Sequence, residues 1–237
     1  MASNNLYQYS VVSALMHGIC ETGPSISHIL AHGDHGLGTV PHLNGEIIIM
    51  DGKAYHFPPD SPRPRKIDPT DRMAFIMITR FNPTFSKRLA TLTMSSLESA
   101  LAPLLPTQQN RFISIRVEAT FPQIWFRVIP AQTTPREPLV DLARRQSIRE
   151  KEHVRGVLFG FWSPVFASGF SVAGFHLHFL SADHNTGGHV VGFEAEDVSL
   201  AAASIGEYRI QLPDDASFHE APLGSVGAED IHEAEGA

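Results

Sequence analysis

The stretch Gly174-Phe175-His176-Leu177-His178-Phe179 leads into Ser181-Ala182-Asp183-His184-Asn185-Thr186-Gly187-Gly188-His189, and together they decide how the second half of the chain folds. Apolar and imidazole side chains alternate over residues 175–179, the period-two pattern of a half-buried strand. His176 and His178 therefore project to one face, and Phe175, Leu177 and Phe179 to the other. The run 183–188 is a turn signal that sends the chain back. A hairpin centred between Asp183 and His184 sets residue 189 opposite residue 178, and opposed residues share a face. Three imidazoles, from His176, His178 and His189, then converge. Neutral nitrogen donors on a rigid ribbon suit Zn²⁺ or, less selectively, another late first-row divalent ion. Three protein ligands leave positions open for water or substrate, as in a catalytic centre. Cys20 is the only cysteine, which excludes the cysteine-based structural zinc modules and any disulfide framework.

Outward from this ribbon the pattern stays β-rich. Strands are expected over 154–162, 171–180, 189–194, 198–203 and 208–212, and upstream over 112–120 and 124–129. A short charged helix fits 138–146, and the arginines and acids of 136–155 read as a solvated face. In the first half, 7–18 and 24–32 read as two short helices. Residues 46–57 form a hairpin: Ile47, Ile48 and Ile49 are β-branched, and Asp51-Gly52 is a tight-turn pair. The proline-rich run 58–71 is a loop, and 74–79 is a strand. Leu89, Leu92, Leu97 and Leu101 recur at roughly helical spacing, which predicts a helix over 86–102 ending before Pro103. The run Gly33–Gly38 matches neither a dinucleotide fingerprint nor a phosphate loop and reads as a flexible turn. No GxSxG nucleophile elbow is present.

This order is α/β in the α+β sense. Two β-rich subdomains are expected: an N-terminal mixed sheet with helices over 1–130, and a mostly antiparallel, barrel-like sheet over 131–213 that carries the metal site. The formal charge is −7, from 18 bases and 25 acids. Seven of the acids lie in 214–237, so the preceding body is neutral and the tail carries the whole excess. A neutral body without a basic stripe argues against a nucleic-acid partner. Composition reads the tail as solvated and disordered. No apolar run approaches the length of a membrane span, and the first basic residue is Lys53, so neither a secretory nor a mitochondrial leader is expected. The expected location is the cytoplasm.

Several separate motifs, in order, resemble the α-acetolactate decarboxylases. They are Leu6-Tyr7-Gln8-Tyr9-Ser10, Leu30-Ala31-His32-Gly33-Asp34-His35-Gly36-Leu37-Gly38-Thr39, Leu43-Asn44-Gly45-Glu46, Val154-Arg155-Gly156, the histidine ribbon, and Leu212-Pro213 before the tail. The resemblance spans nearly the whole chain. It implies zinc-dependent decarboxylation of 2-acetolactate to acetoin and CO₂ through a metal-bound enediolate, and a homodimer. It places the metal ligands on His176, His178 and His189, and active-site residues on Glu46, Arg127 and Thr39. A C-terminal glutamate falls on Glu235, with Glu233 close behind. The chain departs from the family where a second arginine is common, at Ala131, and over roughly residues 85–115. Two rival readings fit the histidines alone: an iron dioxygenase or isomerase, and a non-catalytic protein stabilised by its metal.

Overall fold

The first strand, β1 (Asn4–Tyr9), is followed by two short helices, α1 (Val12–Met16) and α2 (Ile26–Leu30), in a computed structural model that describes residues 4–224. Next come β2 (His35–Thr39), β3 (Glu46–Met50), β4 (Lys53–Phe57) and β5 (Phe75–Thr79). Every residue of β2, β3 and β5 is buried, because both faces of these strands are covered. Leu37, Ile48, Met50, Phe75 and Met77 pack on one side with Phe159, Phe161 and Leu180 from the second half of the chain. Ile47, Ile49, Ile76 and Ile78 pack on the other with Ile26 and Ile29 of α2. The β3–β4 hairpin forms where expected. Its turn places Asp51 at φ 50° and Gly52 at φ 75°, the left-handed pair a two-residue hairpin requires.

The second half contains β6 (Phe85–Thr93), α3 (Leu97–Ala100), β7 (Ile113–Val128), α4 (Leu139–Ala143), β8 (Ser147–Ser163), β9 (Gly174–Ser181), β10 (Gly187–Gln211) and α5 (Ala216–Glu220). Among the described residues, strand order runs β4-β3-β2-β5-β1-β10-β7-β8-β9, with β6 paired to β10. β10 also pairs with β9, so β7, β8, β9 and the start of β10 close into a ring. The far end of β10 runs parallel to β1 and joins the two halves into one sheet system. The architecture is thus the expected mixed α/β, mostly strand with few helices. Among the described residues, no helix is long and apolar enough to cross a membrane.

Five expectations are corrected. Residues 7–9 are strand, with Leu6, Tyr7 and Tyr9 buried between β5 and β10; helix begins only at Val12. The glycine run is not a turn but β2. Its Gly36 and Gly38 face the β5 backbone so closely that an added Cβ would lie 2.4 Å from the Met77 carbonyl and 2.1 Å from that of Phe75. The expected helix over 86–102 is β6, a 3₁₀ turn at 94–96 and only four residues of α3. Cross-strand pairing with β10 from Glu194 to Ala202 overrides the leucine spacing. Strands expected as separate pieces are continuous: β7 runs through Pro122, and β10 bends at register shifts between Glu194 and Ser199. Finally, the acidic tail begins as ordered chain. Asp215 accepts from the Phe218 backbone at 2.9 Å to start α5, and Phe218 and Leu223 pack on Val11, Ala14 and Ile19.

Candidate metal centre

His178 and His189 are register partners across β9 and β10, the pairing that the hairpin arithmetic predicts. His176 lies two residues back on the same face. The three ring centroids are 5.0–5.4 Å apart. One nitrogen from each ring falls within 4.8 Å of the others, and all three residues are buried. The ribbon holds them because Leu177 and Phe179 point away into a second core with Phe121, Phe126 and Val190.

Burial also sets their charge. It pushes the His176 pKa down to about 3, with the nearby Arg127 cation adding to the effect. His178 is held well below its ordinary value first by burial, then by His176, and Arg127 also lowers it; a hydrogen bond to Ile47 opposes the shift. Both imidazoles are therefore neutral near pH 7, the state that ligates a metal. His178 Nδ1 donates to the Ile47 carbonyl at 3.0 Å, which fixes the tautomer and leaves Nε2 as the ligating atom. The donor set fits a late first-row divalent ion.

The cavity at the triad is small, 30 Å³, and its lining includes Thr39, Glu46 and Arg127 as well as the three histidines. Leu15, Leu43, Phe75, Ile129 and Leu139 supply the apolar wall. Glu46 is buried at the start of β3. Its Oε2 lies 3.5 Å from His178 Nε2, and its Oε1 accepts from the Ile129 backbone at 3.2 Å. Arg127 is the register partner of His189 from β7, and its Nη1 donates to Gln146 Oε1 at 2.7 Å. Thr39 is paired with Glu46 across β2 and β3, and its hydroxyl donates to the Gly45 carbonyl at 2.6 Å. That bond fixes the turn leading into Glu46.

Six of the seven expected site residues therefore line one cavity, drawn from both halves of the chain. The seventh, Glu235, and its alternative Glu233 lie outside the described residues. Sequence reasoning missed Gln146, which sits in a segment read as a solvated face and carries no motif. It also missed the Ile47 carbonyl and Ile129 N–H, because backbone groups leave no residue-type signal. A wider hollow of 590 Å³ lies on the outer sheet face, lined by Arg88, Glu118, Arg155 and Asp197 among others, with none of the cavity's histidines.

Fold and site define a β-rich α/β enzyme whose buried histidine triad can hold a metal ion. The chain belongs to the alpha-acetolactate decarboxylase family, whose sequence profile it matches over residues 6–225. It is 34% identical to the alpha-acetolactate decarboxylase of Methylococcus capsulatus over 98% of this chain and 89% of that protein. It is 32% identical to that of Bacillus subtilis strain 168 over 99% of this chain and 92% of that protein. The crystal structure of the Bacillus subtilis strain 168 enzyme superposes with a TM-score of 0.92 at 32% identity, covering 98% of this chain and all of that one. A Staphylococcus aureus protein of unknown function, described as similar to alpha-acetolactate decarboxylase, gives the same TM-score at 31% identity and 98% of this chain. The chain is accordingly an acetolactate decarboxylase.

Proposed function

We propose that this chain decarboxylates 2-acetolactate to acetoin with one Zn²⁺ held by His176, His178 and His189. The supporting observation is that Glu46 and Arg127 share the histidines' cavity, so an acid–base group and a fixed cation stand beside the donor set. When bound, the metal supplies Lewis acidity toward the substrate's neighbouring ketone and hydroxyl oxygens. Arg127 binds the carboxylate through paired donors and orients its C–C bond for cleavage. That bond breaks, its electron pair passes into the ketone, and CO₂ leaves. A proton that Glu46 takes up from water is then delivered to one face of the resulting carbon as the electron pair returns from the ketone oxygen, which restores the carbonyl and yields a single acetoin enantiomer. Thr39 acts as a positioning residue, since its hydroxyl secures the turn before Glu46. The apolar wall keeps bulk water from the carbanionic species.

Glu235 is proposed to close the site. In support, the described start of the tail runs over α1, whose Leu15 lines the cavity. Deletion of 229–237 tests it, and unchanged kinetics would leave that stretch a solubility tail. A homodimer is proposed on the family resemblance. β4, at the end of the strand order, offers an edge that among the described residues carries only the bridge between His56 and Arg65 outside its own hairpin. Light scattering at micromolar concentration checks it. The buried free Cys20 suits a reducing cytoplasm.

The direct experiment combines elemental analysis with an acetolactate assay. Purified chain should carry about one zinc and form acetoin. Chelation or His176→Ala should remove both metal and activity. Iron in place of zinc, with oxygen-dependent turnover, would favour the dioxygenase reading. Full activity in metal-free protein would sink the proposal.

A further inference from the structure

Thirteen histidines are a heavy load for 237 residues, and the cavity uses only three. Two others form a second constellation on the outer surface of the first sheet. His28 lies on α2, and His32 follows one helical turn later, on the same side. Their Nε2 atoms face each other at 3.4 Å, with ring centroids 5.1 Å apart. His32 is anchored: its ring lies flat on Tyr7, with centroids 3.8 Å apart and planes 1° from parallel. Tyr7 is itself buried in β1, and its hydroxyl donates to Gln211 Oε1 at 2.8 Å. His28 is exposed and His32 half-buried, so the gap between their nitrogens is open to solvent.

Two neutral rings at this distance share a single N–H···N hydrogen bond. The same separation also equals the bite of a tetrahedral ion. With Zn–N bonds of about 2.0–2.1 Å, tetrahedral angles put neighbouring nitrogens about 3.3–3.4 Å apart. Cis positions of a square-planar ion at similar bond lengths lie only about 2.8–3.0 Å apart. The pair is thus set for a tetrahedral divalent ion without rearrangement of the anchored ring. We propose that His28 and His32 form a second zinc site, two imidazoles completed by water, on the surface and separate from the cavity. Two ligands bind more weakly than three, and Arg209, the ladder neighbour of Tyr7, adds a positive charge beside the pair. The site therefore fills only after the cavity.

Calorimetric titration of the zinc-loaded full chain with zinc chloride tests this. Wild type should take up one further equivalent. His28→Gln and His32→Gln should each weaken that uptake by about tenfold or more, while cavity zinc and the rate of acetoin formation stay unchanged. No further uptake by wild type would overturn the proposal. So would uptake by both variants equal to wild type, which would assign the extra zinc to other surface histidines. Where His32→Gln disturbs packing on Tyr7, the exposed His28→Gln decides. The readout is binding, so it holds whichever reaction the cavity performs.

Discussion

Glu46 Oε2 lies 3.5 Å from His178 Nε2, while the carbonyl of the next residue, Ile47, accepts from the opposite nitrogen of the same ring. Two consecutive residues of β3 thus govern one histidine of β9. Ile47 selects the tautomer through its backbone, and Glu46 sets a carboxylate beside the ligating atom. A strand from the first half of the chain therefore prepares a donor carried by one from the second, and the register of β3 is part of the site.

Glu46→Gln keeps the size of the side chain and an oxygen for the Ile129 N–H, but removes the group's ability to take up and release a proton. The expected result is a kcat lower by about a hundredfold or more, with zinc content unchanged. Steady-state kinetics and elemental analysis on one preparation check it. Zinc lost in step with activity would make Glu46 a metal contact instead of a proton carrier.

Gln146 accepts from Arg127 Nη1 at 2.7 Å and helps aim the guanidinium. A hydrogen bond to a charged group contributes about 1.5–3 kcal/mol. Gln146→Ala should therefore lower kcat/KM by about tenfold, mainly through KM, while Arg127→Lys should cost more because the paired geometry goes. A fall in kcat alone would mean that Gln146 does not serve substrate binding.

Gly36 touches the β5 backbone, where a Cβ would lie 2.4 Å from the Met77 carbonyl and 3.1 Å from Ile78 Cα. Gly36→Ala should destabilise the fold by about 1–3 kcal/mol. The urea midpoint should drop with little change in slope. Gly169→Ala, with nothing within 4 Å of its Cβ, is the matched control and should unfold as wild type does.

Burial pushes the Cys20 thiol up to about 12, with the neighbouring Glu21 adding to it. Its Sγ donates to Gln132 Oε1 at 3.1 Å. In the unfolded chain the thiol ionises first, so its contribution to stability is complete below the ordinary thiol pKa. It fades as pH rises through that value toward 12. Folded protein should resist a thiol reagent at about pH 8, while urea-unfolded protein reacts at once. Equal rates would contradict the burial.

The metal ribbon was legible because its information is local. Alternation fixed the faces of His176 and His178, and the turn fixed the partner of His178. Glu46, Arg127 and Thr39 had no such local signal; only the family motifs pointed to them. The structure explains why: they reach the cavity across ladders between distant segments, such as β7 with β10. Leu89, Leu92, Leu97 and Leu101 misled because a strand followed by a short helix can carry leucines at helical spacing. Glycines in β2 misled for the opposite reason. Glycine disfavours a strand by propensity, yet Gly36 and Gly38 are what let β2 approach β5. The breaks expected within β10 fall near its register shifts, so polar residues there mark bends in one strand and not its ends.

The parallel pairing of β1 with the far end of β10 has a consequence for biosynthesis. The Tyr7 hydroxyl finds Gln211 across 204 residues. β1 is flanked by β5 and β10, so during translation one of its two edges stays open until nearly the whole chain has left the ribosome. Loop closure of that length is slow, and an unpaired apolar strand edge invites other chains. The segment that finishes the metal ribbon, β10, is also the one that seals this edge. A nascent chain stopped before it would hold both an incomplete site and an adhesive margin, so completing the catalyst and ending the aggregation hazard are one event.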